Sequence, residues 1–209
     1  PEEDTPGLEV GTVRLWDMEG NLVAEGTQPN EDRPAMWTVE LDSASNVEVR
    51  ISGPEQLTTV WRTTTPDAQA YWYSGSLFAA GTATMDAFWS DLAEITGDAM
   101  AEPGGTHLLG EPVWVRPEDE AAWTGASVTV YDDQGGVYPA ITLTQDEEGL
   151  LLPTSVTDGP ISVFAVTNIV PGPVRLVVDS SDGRSAVVDY NAGPGELLSA
   201  FAFALPEHQ

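Results

Sequence analysis

A stretch of alternating apolar residues, residues 164–178, most constrains how this chain can fold. Its first part, around Phe164 and Val166, is aromatic and β-branched, as strands are. Its last part alternates with period two, typical of a strand with one buried face, at Val174, Leu176 and Val178. A Pro-Gly-Pro segment separates the two parts, and proline both fixes φ and lacks a backbone donor. The stretch therefore predicts strand, turn and strand, with the turn at the end of a sheet.

The first half of the chain repeats this pattern without a gap. At a constant offset of 127 positions, Trp37, Val39, Val47, Val49 and Ile51 correspond to Phe164, Val166, Val174, Leu176 and Val178. A second match pairs the segment that begins at Thr12 with the one that begins at Ser127, each a strand followed by an Asp and a Gly-containing turn. We therefore predict two copies of one β-domain. The alternative is that unrelated alternating strands resemble each other by chance.

The repeat and the composition together predict the domain boundaries. Residues 1–7 read as an acidic tether, residues 8–103 as a first β-sandwich and residues 104–209 as a second. The segment 98–105 contains Pro103 and a glycine pair, which is typical of a linker. Strands at short, even spacing with turn signals between them favour antiparallel sandwiches. The predicted fold class is all-β, with two tandem sandwiches and one short helix near their junction.

That helix is predicted over residues 85–95. One face carries apolar residues at helical spacing: Met85, Phe88, Trp89 and Leu92. Thr84 is a suitable N-cap and Gly97 a suitable end. We expect the helix to pack against the first domain; the alternative is a helix that binds a partner. The segment 116–122, rich in charged residues, is expected to be a loop.

The charge of the chain is extreme. The sequence has 34 acidic residues against 7 basic ones, a formal net charge of −27, and all the basic residues are arginines. Such a chain repels phosphate backbones and anionic lipid, so nucleic acid and membrane surfaces are not expected partners. No apolar run approaches the length of a membrane span. The acidity indicates a saline habitat or a high-GC genome, with surface cation binding as the alternative.

Motifs for catalysis are missing from the sequence. There is no cysteine, and the two histidines are His107 and the penultimate His208, so a zinc site of histidine and cysteine ligands is not expected. No nucleophile-elbow, phosphate-loop or dinucleotide-binding pattern occurs. We therefore predict that the chain is not an enzyme and holds no resident cofactor.

Two binding hypotheses remain open. Oxygen donors suited to calcium cluster in turns at Asp146, Glu147, Glu148, Asp179 and Asp182, although none matches an EF-hand, and solvated turns are the alternative. Aromatic residues that could stack on a carbohydrate or a peptide if exposed are Tyr71, Trp72, Tyr73 and Trp123, and packing beneath a sheet is the alternative.

The second half resembles a known family, the carboxypeptidase regulatory-like (transthyretin-like) domain. The residues that carry the resemblance are Gly125, Ala126, Val128, Val130, Gly135, Phe164, Val166, Asn168, Pro171, Gly172, Val174 and Leu176. The first half is a looser copy, with Ala44, Ser45 and Asn46 in place of the Pro-Gly turn. The resemblance implies seven-stranded Greek-key sandwiches with no catalytic residues, commonly found in secreted or surface-anchored bacterial proteins.

These inferences converge on one functional expectation. The chain is predicted to be a non-catalytic structural or adhesive module of an extracytoplasmic bacterial protein. The alternatives are a carbohydrate- or peptide-binding module that uses exposed aromatics, and a calcium-dependent surface domain. A protein or a carbohydrate surface is the expected kind of partner.

Overall fold

A computed structural model describes residues 12–26, 46–53, 57–64, 82–97, 101–102, 104–113, 117–203 and 205. The predicted tether, the strand expected around Trp37 and the aromatic segment 68–80 lie outside the described residues. The chain divides into two compact units, Pro1–Thr84 and Met85–Gln209. Among the residues that the structure describes, no helix is long and apolar enough to span a membrane.

The first unit contributes four described strands. They are β1 (Thr12–Asp17), β2 (Leu22–Gly26), β3 (Asn46–Ser52) and β4 (Thr59–Thr64). Their order across the sheet is β2-β1-β3-β4, and each neighbouring pair is antiparallel. One face of this sheet forms an apolar cluster of Val13, Leu15, Val47, Val49 and Ile51, all buried. The period-two alternation predicted for β3 is therefore confirmed.

The second unit holds the remaining elements. They are α1 (Thr82–Thr96, which begins three residues before the unit), β5 (Thr106–Pro112), α2 (Pro117–Trp123), β6 (Ser127–Asp132), β7 (Val137–Pro139), β8 (Ile141–Gln145), β9 (Leu151–Pro153), β10 (Val163–Ile169), β11 (Gly172–Asp179), β12 (Ser185–Ala192) and β13 (Leu197–Phe203). Within this unit the strands run β13-β5-β10-β8-β9 in one sheet and β12-β11-β6-β7 in the other.

Apolar side chains from both of these sheets are buried. Phe164 of β10 is 0% exposed and its ring stacks on that of Trp123, with the ring centroids 6.2 Å apart. Leu176 of β11 and Val130 of β6 are also 0% exposed. This mainly β arrangement of two sheets, in which buried residues alternate along β6 and β11, is the one expected of an all-β sandwich.

The Pro-Gly-Pro segment joins strands of different sheets. We expected strand, turn and strand over residues 164–178, and the structure has β10 and β11 at these positions. However, β10 pairs with β5 and β8, whereas β11 pairs with β6 and β12. The chain therefore crosses from one sheet to the other here, and the proline residues suit this because they cannot extend a ladder between the two strands.

The two four-stranded arrangements share strand order and register. In the first unit β1 pairs with β3 through Val13↔Ile51 and Leu15↔Val49. In the second unit β6 pairs with β11 through Val128↔Val178 and Val130↔Leu176, the positions that the sequence repeat matches. The strand on the far side follows the same offset, since Trp61↔Val49 corresponds to Val188↔Leu176. Because a slip of one residue would expose the buried face, the agreement at every described pair of β1–β3 with β6–β11, and of β3–β4 with β11–β12, supports the repeat.

Four hairpin turns share one backbone geometry. They begin at Asp17, Asp132, Asp146 and Ser180. In each, the first residue donates its N–H to the carbonyl of the fifth, and a glycine at the fourth position adopts a φ between 84° and 91°. A side chain is strained at such a φ, which explains why glycine occupies this position in all four turns.

The structure revises two details of the helices. The helix predicted over 85–95 is confirmed as α1, with Met85, Trp89 and Leu92 buried, but the unit boundary places most of it in the second unit rather than the first. The Trp89 ring lies 5.0 Å from the His107 ring of β5, which gives the physical reason. The segment expected as a charged loop, residues 116–122, instead forms most of α2, because Ala122 and Trp123 are buried on one side of it.

One strand pairing also departs from the expected antiparallel pattern. β13 runs parallel to β5, through Leu197↔His107 and Leu198↔Leu108. The chain reaches β13 from β12, which belongs to the other sheet, so no tight hairpin dictates the direction of β13.

Replacing Leu176 by alanine tests the central position of β11. Leu176→Ala should lower the free energy of unfolding by about 2–5 kcal/mol, because it opens a cavity in the core beneath the sheet. Guanidinium denaturation followed by circular dichroism measures this. Val187→Ala, at an exposed position of β12, is the control and should change stability by less than about 0.5 kcal/mol. Equal effects of both variants would contradict the assigned register.

Candidate functional site

One of the carboxylates predicted to bind calcium, Asp146, lies at the start of a hairpin turn. Asp146 accepts backbone N–H groups from Glu148 (2.9 Å) and Leu150 (2.8 Å) through one oxygen. Asp17 and Asp132 do the same in their own turns. These hydrogen bonds explain why a side chain that can accept hydrogen bonds occupies the first position of these three turns.

The predicted donors do not gather around one point. Glu147, Glu148 and Asp179 are exposed, and Asp182 binds the side chain of Arg184. Hydrogen bonds from Arg184 and then Ser180 hold the pKa of Asp182 well below its usual range, so this carboxylate is already neutralised by a fixed cation. Within the part of the chain that the structure describes, no three His, Cys, Asp or Glu residues are placed to hold a metal ion.

The aromatic hypothesis is corrected for Trp123. This residue was a candidate for stacking on a ligand if exposed, but its side chain is 0% exposed and stacks on Phe164 in the core. Trp123 is the last residue of α2 and is buried, so its ring cannot stack on a ligand. The other predicted rings, Tyr71, Trp72 and Tyr73, lie outside the described residues.

Asp132 and Tyr138 tie the β6–β7 turn to the sheet crossing. The Tyr138 hydroxyl donates to Asp132 at 2.8 Å and accepts the backbone N–H of Val170 at 3.3 Å. The hydroxyl is the main cause that lowers the pKa of Asp132, while burial and then the carboxylate raise the pKa of Tyr138. The pair thus fixes the start of the segment that carries the chain between the sheets.

His107 sits in a buried polar cluster that sequence reasoning missed. Its Nδ1 accepts the backbone N–H of Asn168 at 3.1 Å, and the Trp89 ring packs beside it. The Asn168 side-chain oxygen accepts the backbone N–H of Glu102 at 2.7 Å. Asn168 has a φ of 57°, in a bulge of β10 where the register with β5 shifts. The sequence signals available for this cluster were a single internal histidine and an asparagine in a strand. Neither residue indicates, from sequence alone, that the other lies beside it.

The surroundings of His107 favour its neutral form. Burial lowers the pKa of His107, and a hydrogen bond with the Glu102 backbone opposes this in part. Because Nδ1 already accepts a hydrogen bond, it is not available as a general base. The cluster therefore joins α1, the connector before β5 and the β10 bulge.

A second buried cluster anchors α2 to the β11–β12 turn. Arg184 donates to Asp119 of α2 at 2.7 Å and to Asp182 at 2.9 Å. The side chains of Arg184 and Asp119 are only 4% and 5% exposed. Ser181 also donates its backbone N–H to the carbonyl of Ala122 at 3.0 Å. The acidic run that seemed a solvated loop thus supplies the anion for a buried cation.

The outward side of the β12-β11-β6-β7 sheet is the largest unexpected feature. We call it the outer face and define it by the apolar residues Tyr131, Val137, Pro139, Val177 and Val187. Val137, Val187 and Tyr131 are 59%, 53% and 41% exposed. The inward residues of the same strands are buried, so both faces of this sheet carry apolar side chains. Period-two alternation identified the inward set and gave no information on this outward one.

The corresponding face of the first unit differs. Its equivalent positions include Val60, 0% exposed, and Glu48, 4% exposed, which pairs with Arg50 at 2.8 Å and with Arg62 at 3.4 Å. Glu48 lies opposite Arg62 in register, and Arg175 lies opposite Asp189 at the matching place in the second unit. Both units therefore have an ion pair at this cross-strand position, with the acidic and basic residues exchanged. The pair is buried in the first unit and exposed in the second.

A comparison with models of known protein families finds no match, and neither does a comparison with curated proteins. The chemistry of the site must therefore be judged from the geometry alone. Each polar group described above serves a turn, a helix anchor or a cross-strand pair. The outer face is a surface whose apolar groups are available to a partner.

Replacing His107 should change how stability depends on pH. Its lowered pKa means that the unfolded chain, with a histidine pKa near 6.5, binds the proton more readily than the folded chain. Stability is therefore complete above this unfolded value and falls as the pH drops below it, by up to about 1.4 kcal/mol per pH unit. Denaturation of His107→Gln between about pH 5 and pH 7 should show a smaller slope than the parent chain. His208→Gln is the matched control, and a slope lost in that variant instead would contradict the assignment.

Two Arg→Met variants test the importance of burial. Arg184→Met leaves Asp119 buried without its cation and should destabilise the chain by about 3 kcal/mol. Arg175→Met removes an ion pair of the same 2.7 Å length between side chains that are 59% and 51% exposed, so its effect on stability should be close to zero. Parallel guanidinium titrations compare the two, and equal losses would contradict the buried anchor.

Proposed function

We propose that this chain is a non-catalytic structural or adhesive module, made of two related Greek-key β-sandwiches, in a secreted or surface-anchored bacterial protein. The observation that carries the proposal is the shared register of the two four-stranded arrangements, which places the matched residues of the repeat at matching positions. Tandem copies of one β-unit are a common way to build a spacer or a display segment.

The connections of the second unit support a Greek key. The chain crosses between its sheets after β5, after β7, after β10 and after β12, while the turns at Asp132, Asp146 and Ser180 close simple hairpins. Repeated crossing of this kind is typical of sandwiches of the transthyretin-like class that the second half resembles.

The use of polar groups supports a non-catalytic role. A catalytic site needs a nucleophile, acid or base left available for the substrate. In the described residues His107 is tied to Asn168, Asp182 to Arg184 and Asp132 to Tyr138. These contacts make the units rigid, which suits a part that holds or presents something else.

The electrostatics support an extracytoplasmic setting. The net charge of −27 keeps the chain apart from nucleic acid and anionic lipid, and it favours solubility where salt screens self-repulsion. The lack of cysteine means that both units depend on packing, hairpin turns and ion pairs for stability.

Stretching single molecules of the full chain from end to end tests the proposal. A tandem spacer should unfold in two separate force peaks, with contour-length gains of at most about 300 Å for the first unit and about 450 Å for the second. Extension without two such peaks would contradict a tandem load-bearing module. Turnover of any substrate that is abolished by one internal substitution would contradict the non-catalytic assignment.

A further inference from the structure

The outer face consists of two neighbouring rows across four strands. One row runs Val187, Val177, Thr129 and Pro139, and the next runs Asp189, Arg175, Tyr131 and Val137. The only cation in these rows, Arg175, is paired with Asp189 at 2.7 Å. The middle of the face is thus a mainly apolar surface with Thr129 and one neutralised ion pair.

Such a surface is unusual for a solvated antiparallel sheet. A sheet with one face in water normally alternates apolar residues inward and polar residues outward. Here Val137 and Val187 point outward and are each more than half exposed. At the matching position of the first unit, Val60 is 0% exposed, so the same architecture is covered there and open here. Clustered apolar exposure of this kind marks interaction surfaces.

Charge decides what can cover the outer face. Exposed carboxylates border it at Asp133 in the β6–β7 turn and at Asp179 at the end of β11, and no unpaired basic side chain stands within its two rows. The whole chain has a net charge of −27, so a second copy is repelled at moderate salt, whereas a cationic partner is attracted.

We infer that the outer face binds a cationic polypeptide segment that presents apolar side chains. The apolar side chains of the partner cover Val137, Val187 and Tyr131, and its basic residues reach Asp133 and Asp179. This inference rests on the proposed function and adds to it the chemistry of the partner that the module holds.

Calorimetric titration of the full chain tests the inference. The probe is a short synthetic peptide in which valine and lysine alternate, and the comparison peptide alternates serine and lysine. The valine peptide should bind at least about tenfold more tightly, since the comparison peptide has the same charge and lacks the apolar contacts. Equal affinity for the two peptides would overturn the inference, because charge alone would then account for binding.

Paired variants locate the binding surface. The double variant Val137→Ser with Val187→Ser should weaken the valine peptide about tenfold, and Val187→Lys should weaken it further by repulsion. The matched control, Leu150→Ser with Val156→Ser, removes apolar groups that are 58% and 74% exposed and lie outside the outer face, and it should change affinity less than about twofold. Equal losses in both double variants would overturn the inference. Thermal melts should show all variants folded, since every substituted side chain is exposed.

Sedimentation velocity tests the remaining alternative occupant of the outer face, a second copy of the chain. The parent chain should stay monomeric at the concentrations used, with and without added salt. Self-association abolished by Val137→Ser with Val187→Ser would overturn the inference in favour of a second copy. Failure of peptide binding leaves the two force peaks of the stretching experiment unaffected, so the two proposals can fail independently.

Discussion

The fold depends on the packing of one central strand in each unit between two antiparallel neighbours. In the second unit Val174, Leu176 and Val178 of β11 are almost fully buried, and β6 and β12 on either side supply partners in register. In the first unit β3 occupies the same place between β1 and β4. Apolar burial on these central strands fixes the register, and the register in turn sets the positions of every turn, ion pair and exposed side chain described above.

Polar interactions then hold the turns and helices to the packed strands. The aspartates that open three hairpin turns satisfy backbone donors that a tight reversal would otherwise leave without acceptors. Arg184 and Asp119 join a helix to a hairpin, while His107 and Asn168 join a helix and a connector to a bulged strand. A chain with 34 acidic residues thus uses several of them as specific acceptors, and each of the five arginines that the structure describes pairs with a carboxylate.

The sequence predicted the elements that have strong local signals. Period-two alternation located β1, β3, β6 and β11, glycine located the hairpin turns, and helical spacing located α1. The match between Thr12 and Ser127 and the offset of 127 positions predicted the repeat, and the two ladders reproduce it in their register. The family resemblance, the extracytoplasmic location and the adhesive role stay predictions.

Features that depend on contacts distant in sequence could not be predicted. The sheet change at Pro171, the parallel pairing of β13 and the burial of Trp123 each depend on which strands meet, and local pattern does not encode this. The segment before Trp123 was expected to be a charged loop because acidic residues dominate its composition. In the structure Asp119 is buried and forms an ion pair with Arg184, 65 positions away in the sequence. The outer face could not be predicted because the sequence does not show whether a valine lies on the outward or the inward side of a strand.

The parallel contact between β5 and β13 has a consequence for how the protein is made. In chain order β5 is the first strand of the second unit and β13 is its last, so β5 is synthesised before the strand that pairs with it in parallel. Until β13 is synthesised, one edge of β5 is unpaired, and apolar residues such as Leu108 are not yet covered. Folding of this unit is therefore completed only after β13 has been synthesised, and a nascent chain stalled before β13 exposes apolar surface that favours aggregation.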